Sequence, residues 1–274
     1  MKKIPIQLVI ILFSVTVSCD RVQYYPDKPI SNTHTFILGH KGGGNFDDGN
    51  TLEACMYGLK MLDGIECDIQ RSSDNTLWLS HSSDVLPCEA FEGKCFASLS
   101  NNTIIEIDSC LGKDINYTQL ETLFEYMSIH YPDKFVSLDV KAWSPCDFSG
   151  INITKQMNEL AQKIIDLTMQ YHLENRIMVE SETGDFLYYI KSHCNFIETY
   201  LTSFGDFEMG VSRALDAGFS GVSFQYKFRE PIVKEHIDLM HRKGLKIQLW
   251  TVNDTTDLKE AKLLNVDFIQ TDNF

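Results

Sequence analysis

From residue 34 onward, short runs of consecutive apolar residues alternate with longer stretches in which apolar positions recur every three or four. Unbroken apolar runs suit strands covered on both faces, and the longer period suits helices that bury one face. On that basis Phe36–His40, Gly64–Ile69, Phe135–Val140, Arg176–Glu180, Phe196–Leu201, Gly221–Phe224, Leu245–Thr251 and Val266–Gln270 are predicted as strands. Thr51–Leu62, Thr118–His130, Ile151–His172, Asp185–His193, Phe207–Ala217, Ile232–Lys243 and Thr255–Leu264 are predicted as the helices between them. Leu77–His81 predicts a further short strand that pairs with the second or extends an edge. The stretch 82–117 is rich in cysteine and asparagine, has no clean period, and reads as an insertion after strand 2.

Eight principal strands in about 235 residues make units of roughly 30, the spacing of parallel strands joined by helical crossovers. The predicted fold class is α/β, a (β/α)8 barrel over residues 34–274, with a doubly wound open sheet as its competitor. The chain stops four residues after the last predicted strand, so no eighth helix is expected there. The groove left open is one that residues 20–35 are placed to cover.

The first residues carry a different pattern. Lys2 and Lys3 precede an apolar run from Ile4 to Val17, and the small Ser18 precedes Cys19. This reads as a signal peptide over 1–18 whose Val-Thr-Val-Ser-Cys ending resembles a bacterial lipobox. Cys19 would then carry the lipid and 19–33 would form a tether, making the protein exported, periplasmic or at the cell surface, and in contact with the membrane through that anchor alone. Of the seven later cysteines, Cys88 and Cys95 are the favoured disulfide pair, with Cys110 and Cys146 as a second candidate pair; an odd count leaves a free thiol. Lys+Arg of 24 against Asp+Glu of 38 gives a net charge of −14, which excludes a general nucleic-acid binder and requires locally placed cations for any anionic substrate.

Candidate chemistry collects at the predicted strand ends, where a barrel carries its active site. Glu66 and Asp68 are two apart, so in a strand both carboxylates share a face. Such neighbours repel unless a cation lies between them, and oxygen donors suit a hard divalent ion, Ca²⁺ or Mg²⁺. Asp139 ends the third strand and supplies a third carboxylate; Lys141, on the same face, supplies positive charge. His40 and His81 each end a strand-like run, and two imidazoles near a carboxylate pair can divide acid and base roles. Lys41 and the run Gly42-Gly43-Gly44 follow His40 directly and offer charge and close backbone approach to an anion. Together these residues point to metal-assisted phosphate ester chemistry on a small-molecule phosphodiester.

The order of motifs resembles the glycerophosphodiester phosphodiesterases. Gly39-His40-Lys41-Gly42, Gly49-Asn50-Thr51, Glu66-Cys67-Asp68, His81-Ser82-Ser83-Asp84, Leu138-Asp139-Val140-Lys141, Trp250-Thr251-Val252-Asn253 and the ending Asp267 to Asp272 follow the family pattern. The resemblance implies a TIM barrel with a small insertion after strand 2, His40 and His81 as catalytic acid and base, and Glu66, Asp68 and Asp139 as metal ligands. It implies Lys41 against phosphate, Trp250 as an apolar wall for glycerol, and hydrolysis to glycerol 3-phosphate and an alcohol. Four departures stand out: Lys41 for arginine, Gly49 for glutamate, Asp139 for glutamate, and Ser82 and Ser83 set between His81 and Asp84. They keep two other readings open, a phospholipase-like barrel acting on intact lipid and a lipoprotein that binds phosphodiesters without turnover.

Overall fold

The structure, a computed structural model, describes residues 34–44, 49–83, 94–111, 117–141, 153–204, 206–227 and 231–274. The predicted leader, Cys19 and the tether lie outside these residues, as do Asp84, Cys88 and Cys146. The described strands are β1 (Phe36–Gly39), β2 (Gly64–Arg71), β3 (Leu77–Leu79), β4 (Thr118–Gln119), β5 (Phe135–Val140), β6 (Ile177–Ser181), β7 (Glu198–Ser203), β8 (Gly221–Gln225), β9 (Lys246–Trp250) and β10 (Phe268–Thr271). The helices are α1 (Leu52–Met61), α2 (Asn101–Leu111), α3 (Leu120–His130), α4 (Ile153–Gln170), α5 (Gly184–His193), α6 (Phe207–Ala217), α7 (Lys234–Lys243) and α8 (Thr255–Leu264).

Eight parallel strands, all but β3 and β4, run in the order β1-β10-β9-β8-β7-β6-β5-β2, and pairing of β1 with β2 closes the ring. The closed barrel of the sequence reading stands. Seven helices cross over between successive ring strands, and among the described residues none follows β10. β3 pairs antiparallel with β2 outside the ring, and β4 with β3, so the extra strand expected at Leu77–His81 is present.

The periodicity missed the helix α2 inside the insertion, and it took the two residues of β4 as the start of the next helix. Ile104 and Ile107, one turn apart, bury against Trp78, Phe96 and Leu99 in a small core separate from the barrel. Asn101 ties the helix start down by accepting from Ser72 Oγ (2.8 Å) and Trp78 Nε1 (3.2 Å). Cys95 and Cys110 are both disulfide-bonded, as expected of them, whereas Cys55, Cys67 and Cys194 are buried free thiols.

Strand alternation sorts β2 cleanly. Ile65, Cys67 and Ile69 face the helices with no exposed surface, and each buried Ile contributes about 1.5–3 kcal/mol. Glu66 and Asp68 face the interior. Gly58 on α1 lets the loop after β1 pack against that helix, because a Cβ there would lie 1.9 Å from the Gly42 carbonyl oxygen. Inside the barrel, Leu38, Met178, Tyr200 and Phe268 form an apolar layer. Above it lies a polar layer: Glu180 accepts from Ser137 Oγ (2.9 Å), Ser223 Oγ (2.6 Å) and Gln270 Nε2 (2.6 Å). The predicted site residues occupy the next level up, at the C-terminal mouth. No helix among the described residues is long and apolar enough to cross a membrane.

Candidate active site

Register builds the acidic cluster. Asp68 on β2 pairs with Asp139 on β5, and Asp139 pairs with Glu180 on β6. Glu66, Asp68 and Asp139 each offer a carboxylate oxygen, and these three oxygens lie within 4.8 Å of one another. Glu66 and Asp68 are buried and Asp139 half-buried. The donor set is all-oxygen and carries excess negative charge, which fits a hard divalent cation.

The acids show the strain of that crowding. Burial, with Asp68, Glu180 and Asp139 as like-charged neighbours, holds the Glu66 carboxyl well above the carboxylate range. Burial likewise pushes Asp139 up to about 7; Lys141 pulls the other way but is outweighed by burial together with Glu180 and Asp68. Lys141 Nζ contacts Asp139 Oδ2 and lies 3.2 Å from Asp68 Oδ1. Burial disfavours its charge, yet these two carboxylates prevail and hold the ammonium above the ordinary lysine range. Lys141 thus supplies the positive charge the sequence assigned to it, directed first at the acids.

Backbone and amide groups hold the acids in place. The Lys41 N–H donates to Glu66 Oε2 (2.9 Å), with Lys41 itself in the left-handed region at φ 53. Asn50 grips Asp68 twice, its Nδ2 donating to Oδ2 (2.9 Å) and its Oδ1 accepting from the Asp68 N–H (2.9 Å). Thr51 caps α1 by accepting from the Ala54 N–H (3.2 Å). The Asn-Thr pair of the motif therefore does two jobs, and sequence reasoning had given Asn50 none.

His40 opens the turn after β1. Its Nε2 lies 3.8 Å from Glu66 Oε2 and its Nδ1 2.7 Å from Asp272 Oδ1. His81 follows β3 and is exposed at the rim. Partial desolvation holds its imidazole below the ordinary histidine value, against the pull of Asp68 and with Lys41, Lys141 and His40 adding to the lowering. Those neighbours place it in the same mouth. Trp250 ends β9, with its ring edge-to-face on Phe204 (5.7 Å) and its Nε1 buried without an acceptor among the described residues. The structure thus gathers His40, Lys41, Glu66, Asp68, His81, Asp139 and Lys141 around one centre, and sets Trp250 on the β9 side of the mouth with Phe204. Asp272, Asn50, Glu180 and Phe204 are the additions that sequence reasoning did not single out.

Residues 40–274 match the glycerophosphoryl diester phosphodiesterase family. A glycerophosphodiester phosphodiesterase of Caldanaerobacter subterraneus subsp. tengcongensis is 23% identical over 243 residues, which span 87% of this chain and 94% of the relative. Among solved structures, a glycerophosphodiester phosphodiesterase of Parabacteroides distasonis superposes with TM-score 0.67 at 18% identity, covering 88% of this chain and 94% of the other. A phosphodiesterase of Oleispira antarctica, in complex with the product sn-glycerol-3-phosphate, superposes with TM-score 0.70 at 16% identity, covering 86% and 92%. The family match takes in every site residue named above, and the chain belongs to the glycerophosphoryl diester phosphodiesterase family, an enzyme family, as its motif order implied.

Proposed function

We propose that the protein hydrolyses glycerophosphodiesters to glycerol 3-phosphate and an alcohol, with His40 and His81 exchanging protons and Glu66, Asp68 and Asp139 holding a divalent cation. The observation that carries this reading is the convergence of three carboxylate oxygens within 4.8 Å, with the His40 imidazole 3.8 Å from one of the acids. When bound, Ca²⁺ or Mg²⁺ would offset charge on the phosphoryl oxygens and relieve the repulsion among the acids. Lys41 and Lys141 add positive charge beside the phosphate, and Trp250 gives the glycerol carbons an apolar wall. One imidazole accepts the proton of the attacking oxygen as its bond to phosphorus forms; the other donates a proton to the departing alkoxide as the second P–O bond breaks.

A panel of glycerophosphodiesters, assayed for glycerol 3-phosphate release with and without chelator, tests the proposal. Release that falls about 10²-fold or more on chelation, and returns with Ca²⁺ or Mg²⁺, is expected. Binding without release in either metal would favour the non-catalytic lipoprotein instead. One observation supports a lipid substrate as a second reading: Phe204 is 42% exposed beside Trp250 and extends an aromatic wall at the mouth. Adding a lysophospholipid to the panel decides between them. We also propose, from the leader sequence, export and lipid attachment at Cys19, to be tested by fatty-acid labelling of the wild type and Cys19→Ala.

A further inference from the structure

Strands β1 and β10 meet where the barrel closes, and their register pairs Gly39 with Thr271. The next residue on each strand, His40 and Asp272, therefore stands abreast of the other although they are 232 positions apart. Asp272 is not a loose partner. One of its oxygens lies 2.7 Å from His40 Nδ1 and the other accepts from Asn253 Nδ2 at 2.6 Å. Its own N–H donates to Asn253 Oδ1 at 2.8 Å, and Asn273 Nδ2 donates to the Asn253 carbonyl at 3.0 Å. Asn253 belongs to the Trp-Thr-Val-Asn stretch and Asp272 to the last motif, so two pieces of the pattern without an assigned role form one clamp.

An ionised carboxylate only accepts. The hydrogen bond from His40, with help from Asn253 and the nearby Lys41, outweighs burial and holds Asp272 below the usual carboxylate range. The hydrogen between them therefore sits on Nδ1. In the neutral ring this leaves the lone pair on Nε2, the nitrogen that faces Glu66 and the acidic cluster. Among the described residues no carboxylate pairs in this way with His81.

We infer that Asp272, held by Asn253, is a positioning residue that fixes His40 as the Nδ1–H tautomer and aims its Nε2 lone pair at the reacting centre. His40 is then the proton acceptor of the pair and His81 the donor. This rests on reading His40 as a proton-transfer group, so His40→Ala is measured alongside.

The orientation of Asn253 makes the test sharp. Its Oδ1 is committed to the Asp272 N–H, so its Nδ2 must donate toward residue 272. In Asp272→Asn the new amide turns its oxygen to Asn253 and its nitrogen to His40, which forces the hydrogen onto Nε2. Turnover of a glycerophosphodiester at saturating divalent cation should fall about 10²-fold or more, with KM within about threefold. Long-range proton–nitrogen spectra should show the His40 hydrogen moving from Nδ1 to Nε2. The double variant Asp272→Asn with Asn253→Asp reverses the donors, restores an acceptor at Nδ1, and should regain at least about tenfold over the single variant. Single and double variants of equal low activity, or an unchanged His40 tautomer in Asp272→Asn, would overturn the inference even if His40→Ala is inactive. An active His40→Ala would instead overturn the proton-transfer reading, leaving the tautomer spectra to decide the positioning claim.

Discussion

Two histidine–aspartate pairs stand at opposite ends of this barrel. At the mouth His40 meets Asp272 at 2.7 Å, with side chains 20% and 41% exposed. At the base His241, in the last turn of α7, meets Asp267 at 2.9 Å, with side chains 7% and 8% exposed. Chemically the pairs are alike, and their settings are not. Asp267 also accepts from the Ile247 N–H (2.9 Å), so the lower pair locks α7 and β9 to the chain entering β10, and the second His241 nitrogen is buried without a partner among the described residues. The second His40 nitrogen faces a cluster of acids. What the far ring nitrogen sees decides whether such a pair is a strut or a working group.

Replacement of the two histidines should separate these roles most strongly. His40→Ala is expected to lower turnover by about 10³-fold or more while moving Tm by less than about 2 °C, and His81→Ala to behave likewise. His241→Ala should do the reverse. It takes from the buried Asp267 carboxylate its histidine partner, leaving only the Ile247 N–H among the described residues, costs about 1–3 kcal/mol, and lowers Tm by roughly 2–4 °C per kcal/mol with turnover unchanged. A His241→Ala protein that is stable and inactive would erase the contrast.

Within the mouth itself the acids should respond to pH in opposite senses. Glu66 and Asp139 hold their protons more tightly in the folded protein than in the unfolded chain. Below the ordinary carboxylate pKa both states are protonated and nothing is lost. Between about 4 and the Asp139 value of about 7, rising pH strips the unfolded chain first and removes stability from the fold. Asp272, shifted the other way, adds stability above its ordinary pKa and loses it only as pH falls through its depressed value, below that window. The chelated protein should therefore gain Tm on acidification from pH 8 to 5, and the gap to the cation-saturated protein should close over the same range. A gap that stays constant with pH would mean the three acids do not share one cation.

Legibility followed the range of the interactions. The barrel strands were readable because strands covered on both faces are apolar throughout, and Glu66 with Asp68 was readable because a strand has period two. Asp139 and Lys141 shared a face for the same reason, and the structure joins them. What stayed hidden needed the ring to close. Asp272 gains its meaning from the β1–β10 seam. Glu180 ended a predicted strand, but its three donors come from β5, β8 and β10, so no local pattern marked it. The helix α2 escaped because it is embedded in a stretch rich in cysteine and asparagine, and because the Asn101 N–H at its start finds its acceptor in Asp74, 27 residues upstream.

The smallest effect concerns the departures nearest the mouth. Lys41 and Gly49 are neighbours in space: a Cβ on Gly49 would lie 2.5 Å from the Lys41 Cβ, so the two departures from the family pattern meet at one spot. The Lys41 main chain is fixed from both sides, its N–H on Glu66 and its carbonyl accepting from the Asn50 N–H at 2.8 Å. Only the side chain is free to change what it offers a phosphate. A lysine offers a point charge where an arginine offers a planar fork. Lys41→Arg should lower KM for a glycerophosphodiester by about two- to fivefold, roughly 0.4–1 kcal/mol, and leave turnover nearly unchanged because the contact is made equally in the bound and reacting states. An unchanged KM would mean that the Lys41 side chain does not reach the phosphate, and would leave anion binding on this side of the mouth to Lys141.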